Sequence, residues 1–133
     1  MRQLVDVAEI GELIVRMARV TDEGDVEDYA DLMAADTSWQ MPGGDAVVGR
    51  DKVIASARER RAGGLTGPGA NTRHLVSMLS VSVEGDRASA RSSWQYFSQT
   101  TTSPTLSAIG SYADDFARTS EGWRFTGRVA TIG

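Results

Sequence analysis

"HLVSMLSVSVEGDRASARSSWQYF", His74 to Phe97, is where the chain changes from helical to extended spacing. Leu75, Leu79, Val81 and Val83 alternate with His74, Val76, Met78 and Ser80, which is the period of a strand. "VEGD" at 83–86 then reads as a hairpin turn. With Glu84 and Gly85 as a two-residue turn, Leu79 faces Ala90, Val81 faces Ala88 and Leu75 faces Trp94. His74 then shares a face with Gln95, and a bulge would bring it to Tyr96 or Phe97 instead.

Downstream, the same period predicts a strand from about Leu106 to Arg118 and another in "GWRFTGRVATIG" at 122–133. Upstream the spacing is helical. Ile10, Leu13, Ile14, Met17 and Ala18 form one apolar stripe, ended by "DEGD" at 22–25. Val26, Tyr29, Ala30 and Met33 give a second helix its stripe. "TSWQM" at 37–41 is a short strand, and Asp51 is an expected N-cap for a third helix to about Ala62, with Val53, Ile54 and Ala57 inward. "GGLTGPGANT" at 63–72 is a loop expected to act as a flap. It lacks the lysine and Ser/Thr of a phosphate-binding loop. Helices first and an antiparallel meander last predict an α+β domain, a curved sheet around a helical layer, spanning residues 1–133.

Composition narrows the function. The 133 residues carry 14 Lys+Arg and 18 Asp+Glu, a net charge of −4, so nucleic acid and membrane are not expected partners. The one basic cluster, "RERR" at 58–61, reads as a solvated helix face. There is no cysteine and one histidine, His74, which excludes thiolate chemistry and zinc–thiolate sites. Asp114 and Asp115 point to opposite faces of a strand, and no dinucleotide fingerprint occurs, so neither metal nor cofactor is expected. No signal-peptide pattern or membrane span is read, which makes the cytoplasm the expected location.

Four stretches, "ARVTDEGDVEDYADLMAADTSWQMP" with "GRDKV", "NTRHLVS", "VEGDRASARSSWQYF" and "GSYADDFARTSEGWRF", resemble the SnoaL-like branch of the nuclear transport factor 2-like superfamily. That branch is similar to scytalone dehydratase, bile-acid 7α-dehydratase and the β-subunits of ring-hydroxylating dioxygenases. The resemblance implies a cone-shaped sheet. It also implies an aspartate at the end of the first helix paired with a histidine opening the first long strand, positions that Asp22 and His74 match. Asp22 also continues the stripe of the first helix, four residues after Ala18. A carboxylate at a helix C-terminus is opposed by the helix dipole, so it calls for a partner.

Such a pair suits general acid–base catalysis. The carboxylate fixes which ring nitrogen holds the proton, and the other is left to exchange protons. Dehydration, isomerisation or cyclisation of a hydrophobic carbonyl compound, such as a polyketide, steroid or terpenoid, is the implied chemistry. The tyrosine that the dehydratases carry near this aspartate is replaced here by Met17 and Thr21. Tyr96, Trp39 and Tyr112 are therefore candidate donors to a developing enolate. Met17, Trp39, Met41, Ile54, Val76, Met78, Tyr96 and Tyr112 are the expected pocket lining. Two alternatives stand beside this reading. One is an epoxide hydrolase using an Asp-Arg-Asp set drawn from Asp114, Arg91 and Arg128, and the other is a non-catalytic binding or assembly subunit. A homodimer is expected through a sheet face formed by Leu75, Leu79 and Val81 with Ala88, Ala90 and Trp94.

Overall fold

The computed structural model describes residues 1–133. Helix α1 (Arg2–Glu23) is followed by a 3₁₀ turn (Val26–Asp31), strands β1 (Met33–Gln40) and β2 (Val47–Val48), helix α2 (Arg50–Ala62), and the long strands β3 (Arg73–Glu84), β4 (Arg87–Ser98), β5 (Thr105–Thr119) and β6 (Gly122–Ile132). The six strands form one curved sheet in the order β2-β1-β6-β5-β4-β3. Only the β1–β6 pair is parallel. The α+β architecture, with helices on the concave face of a sheet, is the one the element order implies.

The apolar stripe of α1 lies on this concave face. Ile10, Leu13, Ile14 and Met17 are buried with Phe116, Trp123 and Phe125 from the sheet. Both ends of the stripe are aspartates. Asp6, 4 % exposed, accepts two hydrogen bonds from the Arg118 guanidinium, each 2.8 Å, and one from Trp123 Nε1 at 3.1 Å. Asp22 closes the other end.

Several local expectations are corrected. The second helix is a short 3₁₀ segment of six residues rather than an α-helix, and Met33 already belongs to β1. Glycine at 49, not Asp51, caps α2. The β3–β4 turn uses Gly85 and Asp86 rather than Glu84 and Gly85, because Glu84 pairs with Arg87. Gly85 takes φ 60°, a conformation that glycine adopts without steric cost.

A bulge between Ser77 and Ser80 also shifts the register, so that Val81 faces Ala90 while Leu75 faces Gln95 and His74 faces Tyr96. Met78, with φ 53° and 84 % exposed, is the extra residue. The bulge divides the expected dimer face between the two sides of the sheet, whereas the displaced turn shifts the pairing by two and leaves each residue on its face. Ala88, Ala90 and Trp94 are buried, and Val81 packs on the core. Leu75 lies on the convex side beside Gln95.

Candidate functional site

Asp22 and His74 meet where the end of α1 crosses the start of β3. Asp22 Oδ2 accepts the backbone N–H of His74 at 2.8 Å, and Asp22 Oδ1 lies 2.7 Å from His74 Nδ1. Both side chains are largely buried. The backbone N–H fixes the carboxylate independently of the ring, and the Tyr96 ring packs on the imidazole at 4.9 Å between centroids. Nε2 of His74 has no protein partner. The carboxylate that the helix dipole opposes is thus held by two donors from one residue.

His74 stands on the wall of a cavity of about 450 Å³ between α2, the 3₁₀ turn and the concave sheet. Of the residues expected to line it, Trp39, Met41, Tyr96 and Tyr112 do so. Four others do not. Met17 is sealed in the core one helical turn before Thr21. Ile54 is buried in the core, and Val53 and Ala57, four residues apart on one face of α2, reach the cavity instead. Val76 lines a smaller cleft behind the dyad together with Asp22 and Arg19. Met78 is carried out to solvent by the bulge.

The donor side of the cavity is narrower than three aromatic residues suggest. Trp39 Nε1 is spent on Thr37 Oγ1 at 3.0 Å, and the Tyr96 hydroxyl on the Leu65 carbonyl at 2.6 Å. The latter bond ties down the 63–72 loop that was expected to be a flap. Tyr112 keeps a hydroxyl without a protein partner. Burial raises its pKa, the neighbouring Arg128 opposes that rise, and Asp114 adds to it, so the phenol remains a proton donor at neutral pH.

Tyr29, unrecognised in the sequence because it fits the stripe of a helix, also lines the cavity. Thr21 donates to the Met17 carbonyl at 2.9 Å, so the Tyr29 hydroxyl, 2.6 Å from Thr21 Oγ1, donates to Thr21. Its proton is therefore committed.

Arg128 is the other feature that strand spacing left open. It lies opposite Asp114 on the concave face and donates from Nε at 2.7 Å and Nη2 at 3.0 Å. Its guanidinium lies 3.6 Å from the Tyr112 ring centroid and 4.9 Å from that of Trp39. Burial works against its charge, but Asp114, Tyr112 and Tyr29 together outweigh this and its pKa is raised. Arg128 reaches the cavity, whereas Asp114 lies behind it, and no Asp or Glu lines the cavity wall. Arg91, opposite Ala113, is on the convex face. The Asp-Arg-Asp set therefore does not assemble: Asp114 and Arg128 pair, Arg91 points away, and no second carboxylate joins them. No cluster of three or more metal-ligating side chains occurs, and no helix is long and apolar enough to cross a membrane.

A concave sheet capped by helices around an apolar cavity with an Asp–His pair on its wall defines a small-molecule-binding or catalytic class of domain. The chain belongs to the SnoaL-like domain family, whose model matches residues 2–129. No curated protein matches the sequence. Among solved structures, it is similar to a nuclear transport factor 2-like protein with a cystatin-like fold from Novosphingobium aromaticivorans. That match has 29 % identity and a TM-score of 0.82, and covers 98 % of this chain and 84 % of that one. A candidate dehydratase of the same superfamily from Streptomyces avermitilis superposes with a TM-score of 0.79 at 20 % identity, over 97 % of each chain. A protein from Catenulispora acidiphila gives 0.83 at 22 % identity, covering 98 % and 94 %. The last two likenesses speak for the fold.

Proposed function

We propose that this chain is a cofactor-independent acid–base enzyme acting on an apolar carbonyl compound, with His74 as proton carrier and Asp22 as its positioning residue. The observation that carries this reading is the hydrogen-bonded Asp22–His74 pair on the wall of an otherwise carboxylate-free, largely apolar cavity. With Nδ1–H held by Asp22, Nε2 is an acceptor. It would remove a proton from the carbon next to the carbonyl, and the electron pair would move onto the carbonyl oxygen. Tyr112 and Arg128 supply donors for that charge in place of the family tyrosine. The imidazolium then returns its proton to a hydroxyl on the next carbon, which leaves as water as the double bond forms. Returning the proton to another carbon would make the outcome an isomerisation.

The likeness to a candidate dehydratase supports the first outcome. The absence of a carboxylate on the cavity wall weighs against epoxide hydrolysis. A non-catalytic binding role predicts that His74 can be changed without loss of function. Screening β-hydroxy ketones and thioesters of ring compounds, with wild type beside His74→Ala, tests the reading. Turnover that depends on His74 supports it, and turnover that survives His74→Ala overturns it.

We also propose that the protein pairs with a second copy, through a face different from the one expected from sequence. Leu75, Leu106, Ile109 and Val129 all lie on the convex side of the sheet and are each 43–52 % exposed, with the half-buried Phe97 paired beside Leu106.

A further inference from the structure

The arginines of "RERR" do three different things. Arg58 donates to both carboxylate oxygens of Glu27 at 2.7 Å. Arg61 reaches the end of α1 and donates to the carbonyls of Val20, Thr21 and Gly24, where helix carbonyls lack internal partners and a cation is favoured. The guanidinium of Arg60, between them, has no hydrogen bond or ion pair, yet the residue is half-buried and lines the cavity beside Leu65 and Thr66. The segment is thus not the uniformly solvated helix face that its composition suggests.

Arg60 stands near the rim. Leu65, Pro42 and Ile132 on the same wall are exposed, whereas Met33, Trp39 and Arg128 are buried. Arg128 has its charge matched by Asp114. With no carboxylate on the wall, Arg60 is the one guanidinium in the cavity with no opposing charge.

We infer that Arg60 is a specificity-determining residue that binds an anionic group on the substrate. The substrate class is then an apolar ring or chain compound bearing a carboxylate or similar anion, with its anionic end at the rim and its carbonyl deeper, near His74. The inference rests on the cavity being the ligand site, as proposed above, and gives that site its charge preference. A guanidinium at a half-exposed rim is partly screened, so its share of binding is about threefold to tenfold in affinity.

Two dyes on one aromatic frame separate the questions: 8-anilino-1-naphthalenesulfonate, which is anionic, and N-phenyl-1-naphthylamine, which is neutral. Trp39 and Trp94 line the cavity, so energy transfer from tryptophan to either dye reports occupancy. The expected result has two parts. Wild type prefers the anionic dye. Arg60→Gln weakens it by about threefold to tenfold, leaves the neutral dye unchanged and loses the preference, which Arg60→Lys restores in part. His74→Ala keeps the preference, which separates it from the dyad. Equal affinity for both dyes in wild type, or a preference that survives Arg60→Gln, overturns the inference and leaves the cavity reading standing. If neither dye binds, both fall.

Discussion

Asp22 grips His74 twice, with one carboxylate oxygen on its backbone N–H at 2.8 Å and the other 2.7 Å from its ring Nδ1. The backbone contact places the carboxylate whether or not the ring is present, so the ring contact is free to set the tautomer. Asp22→Asn separates the two. An amide can still accept the backbone N–H through oxygen, but its nitrogen then donates to Nδ1 and drives the ring proton onto Nε2. The nitrogen proposed to take the substrate proton becomes a donor. We expect ¹⁵N shifts of His74 in Asp22→Asn to report the exchanged tautomer. Turnover of any substrate found should drop about 100-fold or more, the scale of general base catalysis. His74→Ala combined with Asp22→Asn should be little worse than His74→Ala, because groups acting as a unit are not additive. An unchanged tautomer would refute this account.

Arg128 and Asp114 are a buried pair, and breaking it should cost more than removing it. Arg128→Met leaves a carboxylate without its partner, for which about 3–5 kcal/mol is typical. Arg128→Met with Asp114→Leu removes both charges and should recover much of that loss. Urea denaturation of the two variants gives the ordering. A double variant weaker than the single one would contradict it.

At the other end of α1, the hydrogen bonds from Arg118 hold the Asp6 carboxyl at a pKa of about 2, against an ordinary 3.8; burial works against this, and Trp123 adds to it. Because the folded value is the lower one, the unfolded chain binds the proton first on acidification. The contribution of Asp6 to stability is therefore whole above about pH 4 to 5 and is lost as pH falls toward 2. Denaturation midpoints between pH 2 and 6 should fall less steeply on acidification for Asp6→Asn than for wild type. Parallel curves would show that Asp6 is not a source of the acid sensitivity.

The convex face can be tested by charge. Light scattering at micromolar concentration should give twice the monomer mass for wild type. Ile109→Arg, at a position 49 % exposed, should give the monomer mass with little change in melting temperature. A monomeric wild type would dismiss the proposed pairing.

The element order, the stripe of α1 and the four long strands were legible because each is a periodic pattern of apolar residues, and burial follows such patterns directly. The Asp22–His74 pair was legible from the stripe and from family likeness together. What stayed hidden depends on parity and on partners. The turn at Gly85 and Asp86 moves the pairing by two residues and the bulge at Met78 moves it back by one, which an alternating string of Ser, Val and Leu does not disclose. Whether Trp39 and Tyr96 have a proton to offer depends on Thr37 and the Leu65 carbonyl, contacts that spacing does not encode. Likewise Arg60 and Arg61 are adjacent letters with unrelated partners.

The bulge at Met78 sets the phase of the strand that carries His74. On either side of it the alternation continues out of step: odd-numbered residues face the core after it, and even-numbered ones before it. Had Met78 taken a place in the ladder, Leu75 would lie on the face of Val81 and His74 would turn away from Asp22. Because Met78 is the extra residue, removing it leaves Ser77 opposite Ser93 and His74 opposite Tyr96 in a more regular strand. A variant lacking Met78 should therefore fold, with β-sheet circular dichroism retained, and keep its His74-dependent turnover. A folded but inactive deletion variant would mean that the bulge does more than absorb one residue. An exposed methionine with no chemistry of its own thus lets the sequence alternate in two phases while the sheet keeps one.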